Sequence, residues 1–166
     1  MRLNRLASAA VAAVAISVPV SAVAGTAFAG TAQAATKKAP VTWNMVAAAK
    51  AKQLVGYRYI YGGNTINGFD CSGLAQWVYR HTGHGKVIDR IANDQFHEFR
   101  QVSHAAARPG DLVFFHDSSN LSSYVYHVGV YEGGNYMVAA TTPGGGVQYQ
   151  SFTWAGNTVS FGTITH

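Results

Sequence analysis

The sequence predicts an α+β fold, with N-terminal helices packed on a central antiparallel β-sheet, and three observations carry that reading. Between residues 42 and 99 the apolar residues recur at helical spacing and the runs end on glycine or a polar break. Beyond residue 110 the pattern changes to short β-branched and aromatic runs separated by Gly, Asn and Pro. The helical runs precede the extended ones without alternating with them, which argues for one α+β domain rather than a parallel α/β sheet.

The elements follow in chain order. Arg2 and Arg5 precede an apolar run, and the small-residue triplets Ala27-Phe28-Ala29 and Ala32-Gln33-Ala34 come after it. Residues 1–34 therefore read as a secretory signal peptide and are set aside from the fold. Residues 35–41 read as a linker and 42–166 as the domain. No later run is long and apolar enough to span a membrane, so a secreted, soluble monomer with no membrane contact after cleavage is expected. Thr42 is suited to cap a first helix reaching residue 55, with Gly56 as its stop. Met45, Ala48, Ala49, Lys52 and Val55 are expected to share one face of it, Lys52 by its stem. Residues 57–69 are aromatic and then turn-rich, a loop or short extended piece. A second helix begins around Cys71, with Leu74, Ala75, Val78 and Tyr79 at helical spacing and Gly83 as its end. A third, shorter helix covers 91–99. Strands are expected over 111–115, 126–131, 136–141, 146–152 and 159–164, with Gly133-Gly134 as a hairpin turn.

Charge and cysteine usage narrow the function. Without Arg2 and Arg5, ten Lys and Arg stand against seven Asp and Glu, a net charge of +3. That mild excess suits an anionic surface such as a bacterial wall. It is too small and scattered for nucleic acid, and no basic run is interleaved with aromatics. An exported protein usually pairs its cysteines, whereas this chain has one, Cys71. A single Cys in such a chain is an intermolecular bridge, a working thiol or an inert buried residue, and its surroundings decide.

Cys71 sits at the expected start of a helix, where unpaired N–H groups and the helix dipole favour an anion. A thiol so placed has a lowered pKa and is a better nucleophile. Asp70 and Ser72 flank it, and Gly73 leaves room for close approach. A cysteine hydrolase also needs an imidazole, remote in sequence but near in space. His127 opens the strand-like run His127-Val128-Gly129-Val130-Tyr131, and His116 at a strand end is its rival. His81, His84, His97 and His104 lie in the polar helical stretch and are expected in solvent. His81 and His84 form a His-x-x-His pair without further ligands, so no metal is expected, and no cofactor.

At these residues the chain resembles the NlpC-type family of bacterial cell-wall cysteine endopeptidases. Tyr59-Ile60-Tyr61-Gly62-Gly63 resembles its Tyr-x-aromatic-Gly-Gly segment, and Gly68-Phe69-Asp70-Cys71-Ser72-Gly73-Leu74 its nucleophile motif. Pro109-Gly110-Asp111-Leu112-Val113-Phe114-Phe115 is similar to its first core strand, and His127-Val128-Gly129-Val130-Tyr131 to its catalytic-histidine strand. The resemblance covers about residues 45–165. It implies a papain-like fold with Cys71 as nucleophile and His127 as base, passing through a thioester, and the Cys71 N–H helping to hold the oxyanion. The substrate it implies is a peptidoglycan stem peptide, cut between D-glutamate, through its γ-carboxyl, and a diamino acid. Tyr59, Asp70 and Ser72 would bind the substrate's free amino end, although Asp70 and Ser72 are also natural helix caps.

Two positions depart from the family. A polar residue usually follows on the strand after the histidine, and here that position is Ala139, which cannot orient an imidazole. A small hydroxyl residue usual near 90–95 is replaced by Ala92. The departures imply altered specificity, a dyad mechanism or lost activity. Thr141, a backbone carbonyl or a water would then be left to orient His127. The readings that compete with an active endopeptidase are a catalytically weak wall-binding homologue and another amide hydrolase or acyltransferase on the same scaffold.

Overall fold

The computed structural model describes residues 41–83, 85–142, 144–153 and 156–164. The expected signal peptide, the linker as far as residue 40, and His84 lie outside the described residues. Thr42 stands extended and its hydroxyl accepts the Met45 N–H, which starts α1 (Trp43–Gln53). This helix buries Asn44, Ala47, Ala48 and Ala51, with Leu54 following at its C-cap. The expected face differs. Ala48 is buried, but Met45 is 53% and Val55 44% exposed, and Ala49 and Lys52 are exposed as well. Alanines all round the helix give the apolar period no direction, so the neighbours choose the face. Asn44 is buried because its Nδ2 donates to Asp111 Oδ1 at 2.8 Å.

A two-stranded hairpin, β1 (Asn64–Thr65) and β2 (Gly68–Phe69), leads into α2 (Cys71–Arg80) and then α3 (Ala92–Glu98). Leu74, Ala75, Val78 and Tyr79 of α2 are all buried, the face their spacing predicted. Six strands then form one antiparallel sheet: β3 (Arg100–Val102), β4 (Leu112–His116), β5 (Val125–Gly133), β6 (Tyr136–Thr141), β7 (Gly146–Ser151) and β8 (Thr158–Thr163). Their order is β3-β8-β4-β5-β6-β7, so the last strand returns to pair with β4 and the sheet centres on β4 and β5. The five expected strands are present. The short β3 is additional, an edge strand with Arg100 and Gln101 exposed.

Both faces of this sheet are covered. Leu112, Phe114, Val128, Val130, Val138 and Ala140 belong to one apolar cluster with Ala47, Ala51, Leu74, Val78 and Tyr79 of the helices. Val113, Phe115, Tyr131, Met137, Ala139, Phe152 and Phe161 form a second cluster. His104 is exposed, as expected, with its ring flat on Phe161 at 4.6 Å and its Nε2 on the Gly134 carbonyl at 2.8 Å. Two covered faces explain why 112–115 read as an unbroken apolar run rather than an alternating one. No helix among the described residues is long and apolar enough to cross a membrane.

Candidate active site

The site is built where the N-terminus of α2 meets β5. Asp70 is the N-cap of α2, extended, with Oδ1 accepting the Gly73 N–H at 2.7 Å. Its N–H donates to the Gly63 carbonyl at 3.0 Å, and its Oδ2 accepts the Gly62 N–H at 2.9 Å. Any side chain on Gly73 would overlap the Gly63 carbonyl. The Gly-Gly pair and the glycine after the nucleophile therefore fit one another, and the loop before β1 is pressed onto the helix end.

Cys71 occupies the first position of the helix. The N–H groups of Val128 and Ser72 lie near its sulfur and favour the thiolate. Val128 directly follows His127, and the thiol and the imidazole line the same cavity. Two cavities meet at Cys71. One, of about 480 Å³, is lined by Asp70, Ser72, Arg90, Ala92, Tyr124 and Tyr61 among others. The second, of about 520 Å³, is lined by His127, Ala140, Thr141, Thr142 and Gln150. Tyr59, Cys71 and Tyr126 line both, so the two adjoin as one cleft at the sulfur. Every residue that the sequence proposed for the site, Tyr59, Asp70, Cys71, Ser72 and His127, lies on this cleft.

Electrostatics set the resting protonation. Burial pushes the Cys71 thiol up, more than the N–H groups of Val128 and Ser72 hold it down. The helix end is where the sequence placed it, but desolvation outweighs its effect. Burial also lowers His127 to about 4. The resting pair at neutral pH is thus a thiol and a neutral imidazole. The Nε2 of His127 is buried. That Nε2 has no hydrogen-bond partner among the described residues. Ala139, buried on the same face, supplies only a methyl group. Thr141 donates its hydroxyl to the Gly146 carbonyl at 3.5 Å and is not bonded to that Nε2.

His116 is placed differently. It is buried, its Nδ1 faces the Ser123 carbonyl at 3.2 Å and its Nε2 the Ser160 hydroxyl at 2.8 Å. Both nitrogens are occupied, and it lines neither cavity at Cys71.

Arg90 is the site residue that motif and spacing do not reveal. It stands 20 positions beyond Asp70 and grips both carboxylate oxygens, NH1 to Oδ1 at 2.9 Å and NH2 to Oδ2 at 2.6 Å. NH1 also donates to the Ser72 hydroxyl at 3.0 Å. The Asp70 carboxylate raises Arg90 further above its usual value. Each Asp70 oxygen is therefore already taken up by cap, loop and guanidinium. Tyr59, also pushed up by burial and by Cys71 and Asp70, lines both cavities. Among the described residues no group of three or more His, Cys, Asp or Glu is arranged to hold a metal.

The NlpC/P60 family model matches residues 56–162. The probable endopeptidase p60 of Listeria innocua is 36% identical over 108 residues, 65% of this chain and 21% of that protein. The bifunctional muramidase/DL-endopeptidase CwlT of Bacillus subtilis is 36% identical over 119 residues, 69% of this chain and 35% of that protein. The chain thus spans between a fifth and about a third of these relatives. The solved NlpC/p60 domain of the peptidoglycan hydrolase SagA superposes with a TM-score of 0.64 at 28% identity, covering 74% of this chain and 100% of that domain.

Proposed function

The chain belongs to the NlpC/P60 family, and from that premise we propose that residues 42–166 form a cysteine endopeptidase domain that hydrolyses amide bonds in peptidoglycan stem peptides. The observation that carries the reading is the sulfur of Cys71 near the Val128 N–H, with His127 on the same cleft. The DL-endopeptidase relative supports the finer reading, a γ-D-glutamyl bond to a diamino acid. The leader expected over residues 1–34 supports secretion to the cell wall, where the domain acts as a monomer.

The chemistry follows from the resting state. Cys71 Sγ attacks the amide carbon while His127 takes the thiol proton. The carbonyl oxygen gains the negative charge, and the Cys71 N–H, an unpaired donor of the first helical turn, faces it. The C–N bond then breaks, the amine leaves with the proton from His127, and a thioester remains on Cys71. Water, deprotonated by His127, hydrolyses that ester and restores the thiol. A mixed cleft of tyrosines with the Arg90–Asp70–Ser72 network suits a polar, charged peptide on one side of the sulfur.

Digestion of purified peptidoglycan, with mass spectrometry of the fragments, tests the proposal. Fragments bearing a new free amine are expected, and none from a folded Cys71→Ala variant. The unpartnered Nε2 of His127 favours one rival, a catalytically weak wall-binding homologue. Tight wall binding without any cleavage would establish the rival and exclude the endopeptidase.

A further inference from the structure

We infer that Arg90 closes Asp70 to a free amino end, so that the cleft selects stem peptides whose amino end is acylated, as it is while the peptide is joined to the wall glycan. The inference rests on the reading of the Cys71 cleft as a stem-peptide site.

A free amino end at neutral pH is an ammonium, a cation with three donors that leaves water only for good acceptors. Among the residues lining the cavity of about 480 Å³, Asp70 is the one acid and Arg90 the one cation. Asp70 has no acceptor site to spare. Its Oδ1 takes the Gly73 N–H at 2.7 Å, Arg90 NH1 at 2.9 Å and the Ser72 hydroxyl at 3.4 Å. Its Oδ2 takes the Gly62 N–H at 2.9 Å and Arg90 NH2 at 2.6 Å. A carboxylate offers about four lone-pair sites, and these donors already fill them. The pair is also unequal in exposure: the Arg90 side chain is 33% exposed and that of Asp70 12%. An incoming ammonium therefore meets a like charge before it meets the carboxylate. Exposed tyrosine rings offer it only a weak face contact in return.

An acylated amino end makes different demands. Its nitrogen is an uncharged amide donor that needs one acceptor. The Ser72 hydroxyl gives its proton to Asp70 and accepts Arg90 NH1 at 3.0 Å, which leaves it one lone pair for that donor. The group beyond the amide is a sugar, whose C–H faces stack on aromatic rings. The same cavity is lined by Tyr61, 91% exposed, Tyr124, 55% exposed, and the apolar Ile91 and Ala92. Such a wall suits a bulky, uncharged attachment and holds nothing that reads a cation.

The test uses one wall stem peptide in two forms, with a free and with an N-acetylated amino end. Wild-type kcat/KM is measured on both, and calorimetry reads the binding of both to Cys71→Ala, which needs no turnover. Near pH 6 the acetylated form should be cut about tenfold better or more and bound more tightly. The gap should narrow as pH rises through about 8, where the ammonium loses its proton. Arg90→Leu bares Asp70, and near pH 6 it should bring the free form level with the acetylated one or ahead of it. The wild-type pH dependence decides the matter even where Arg90→Leu fails to fold. A free form that wild type cuts and binds as well as the acetylated one overturns the inference. So does a preference that pH leaves unchanged, a folded Arg90→Leu that keeps the wild-type preference, or binding of neither form. If Cys71→Ala prefers the acetylated form while wild type cuts neither, the endopeptidase reading fails and this inference stands.

Discussion

At Cys71 and His127 the resting site is uncharged, and that has a kinetic signature. A base must be neutral to accept the thiol proton. With burial holding His127 at about 4, kcat/KM should keep its value well below the usual imidazole range and fall only as pH drops through about 4. A pH–rate profile of the free enzyme measures this, and an acid limb near the ordinary histidine value of 6.5 would show that solvent reaches the ring. His116 gives the contrasting prediction. Removing a buried ring bonded at both nitrogens leaves Ser160 and the Ser123 carbonyl without partners. His116→Ala should therefore lower stability by about 1–3 kcal/mol while turnover per folded molecule stays near the wild-type value. Denaturant unfolding and active-site titration separate the two effects. Cys71 and His127 were legible in the sequence because a thiol at a helix start and an imidazole on a strand are local signals. Arg90 was not, because its meaning comes from Asp70 and Ser72, partners that only the tertiary structure brings near.

At the scale of elements, legibility followed the strength of the apolar period. Helix α2 was readable because Leu74, Ala75, Val78 and Tyr79 stand against polar neighbours, and all four are buried. Helix α1 was readable in extent but not in orientation. Its alanines carry no contrast, and the face that packs is the one whose methyl groups allow the helix to approach the sheet and α2. The two faces should respond differently to added bulk. Ala47→Leu places new methyl groups where nothing is exposed and should cost about 1–3 kcal/mol. Ala49→Leu, on the exposed side, should stay within about 0.5 kcal/mol. Urea unfolding of the two variants checks the ranking, and equal losses would mean that α1 packs by another face. Strand β3 escaped the sequence reading for a related reason: a three-residue edge strand has too few residues to show a period of two, and its Arg100 and Gln101 face solvent.

For the whole molecule, two buried groups on β5 oppose one another in pH. His127 has a folded value of about 4 against its usual 6.5. The unfolded chain takes up that proton first, so stability is lost as pH falls from 6.5 towards 4, by about 3 kcal/mol at most. Glu132 behaves in reverse. Its side chain is buried against Lys52 at 3.0 Å, and burial lifts it from 4.5 to about 7 despite the ammonium. The folded chain keeps that proton longer, so stability is lost as pH rises towards 7. Between the two usual values the slopes offset. Wild-type stability should be nearly flat there, His127→Leu should lose stability with rising pH, and Glu132→Gln should gain it. Denaturant midpoints across that range measure the slopes, and three parallel curves would show that neither group is desolvated as described.

The approach of the Val128 N–H to the Cys71 sulfur joins a piece of local structure to a piece that is anything but local. The bonds of helix α2 join neighbours in sequence, whereas β5 lies between β4 and β6, pairings that span more of the chain. During synthesis the thiol therefore emerges long before its imidazole, and in an unfinished chain the two never meet. The last strand, β8, then closes the sheet beside β4, and the unfinished chain should be inert. On the proposed reading, activity would arrive with the completed fold, and the order of folding itself would time it.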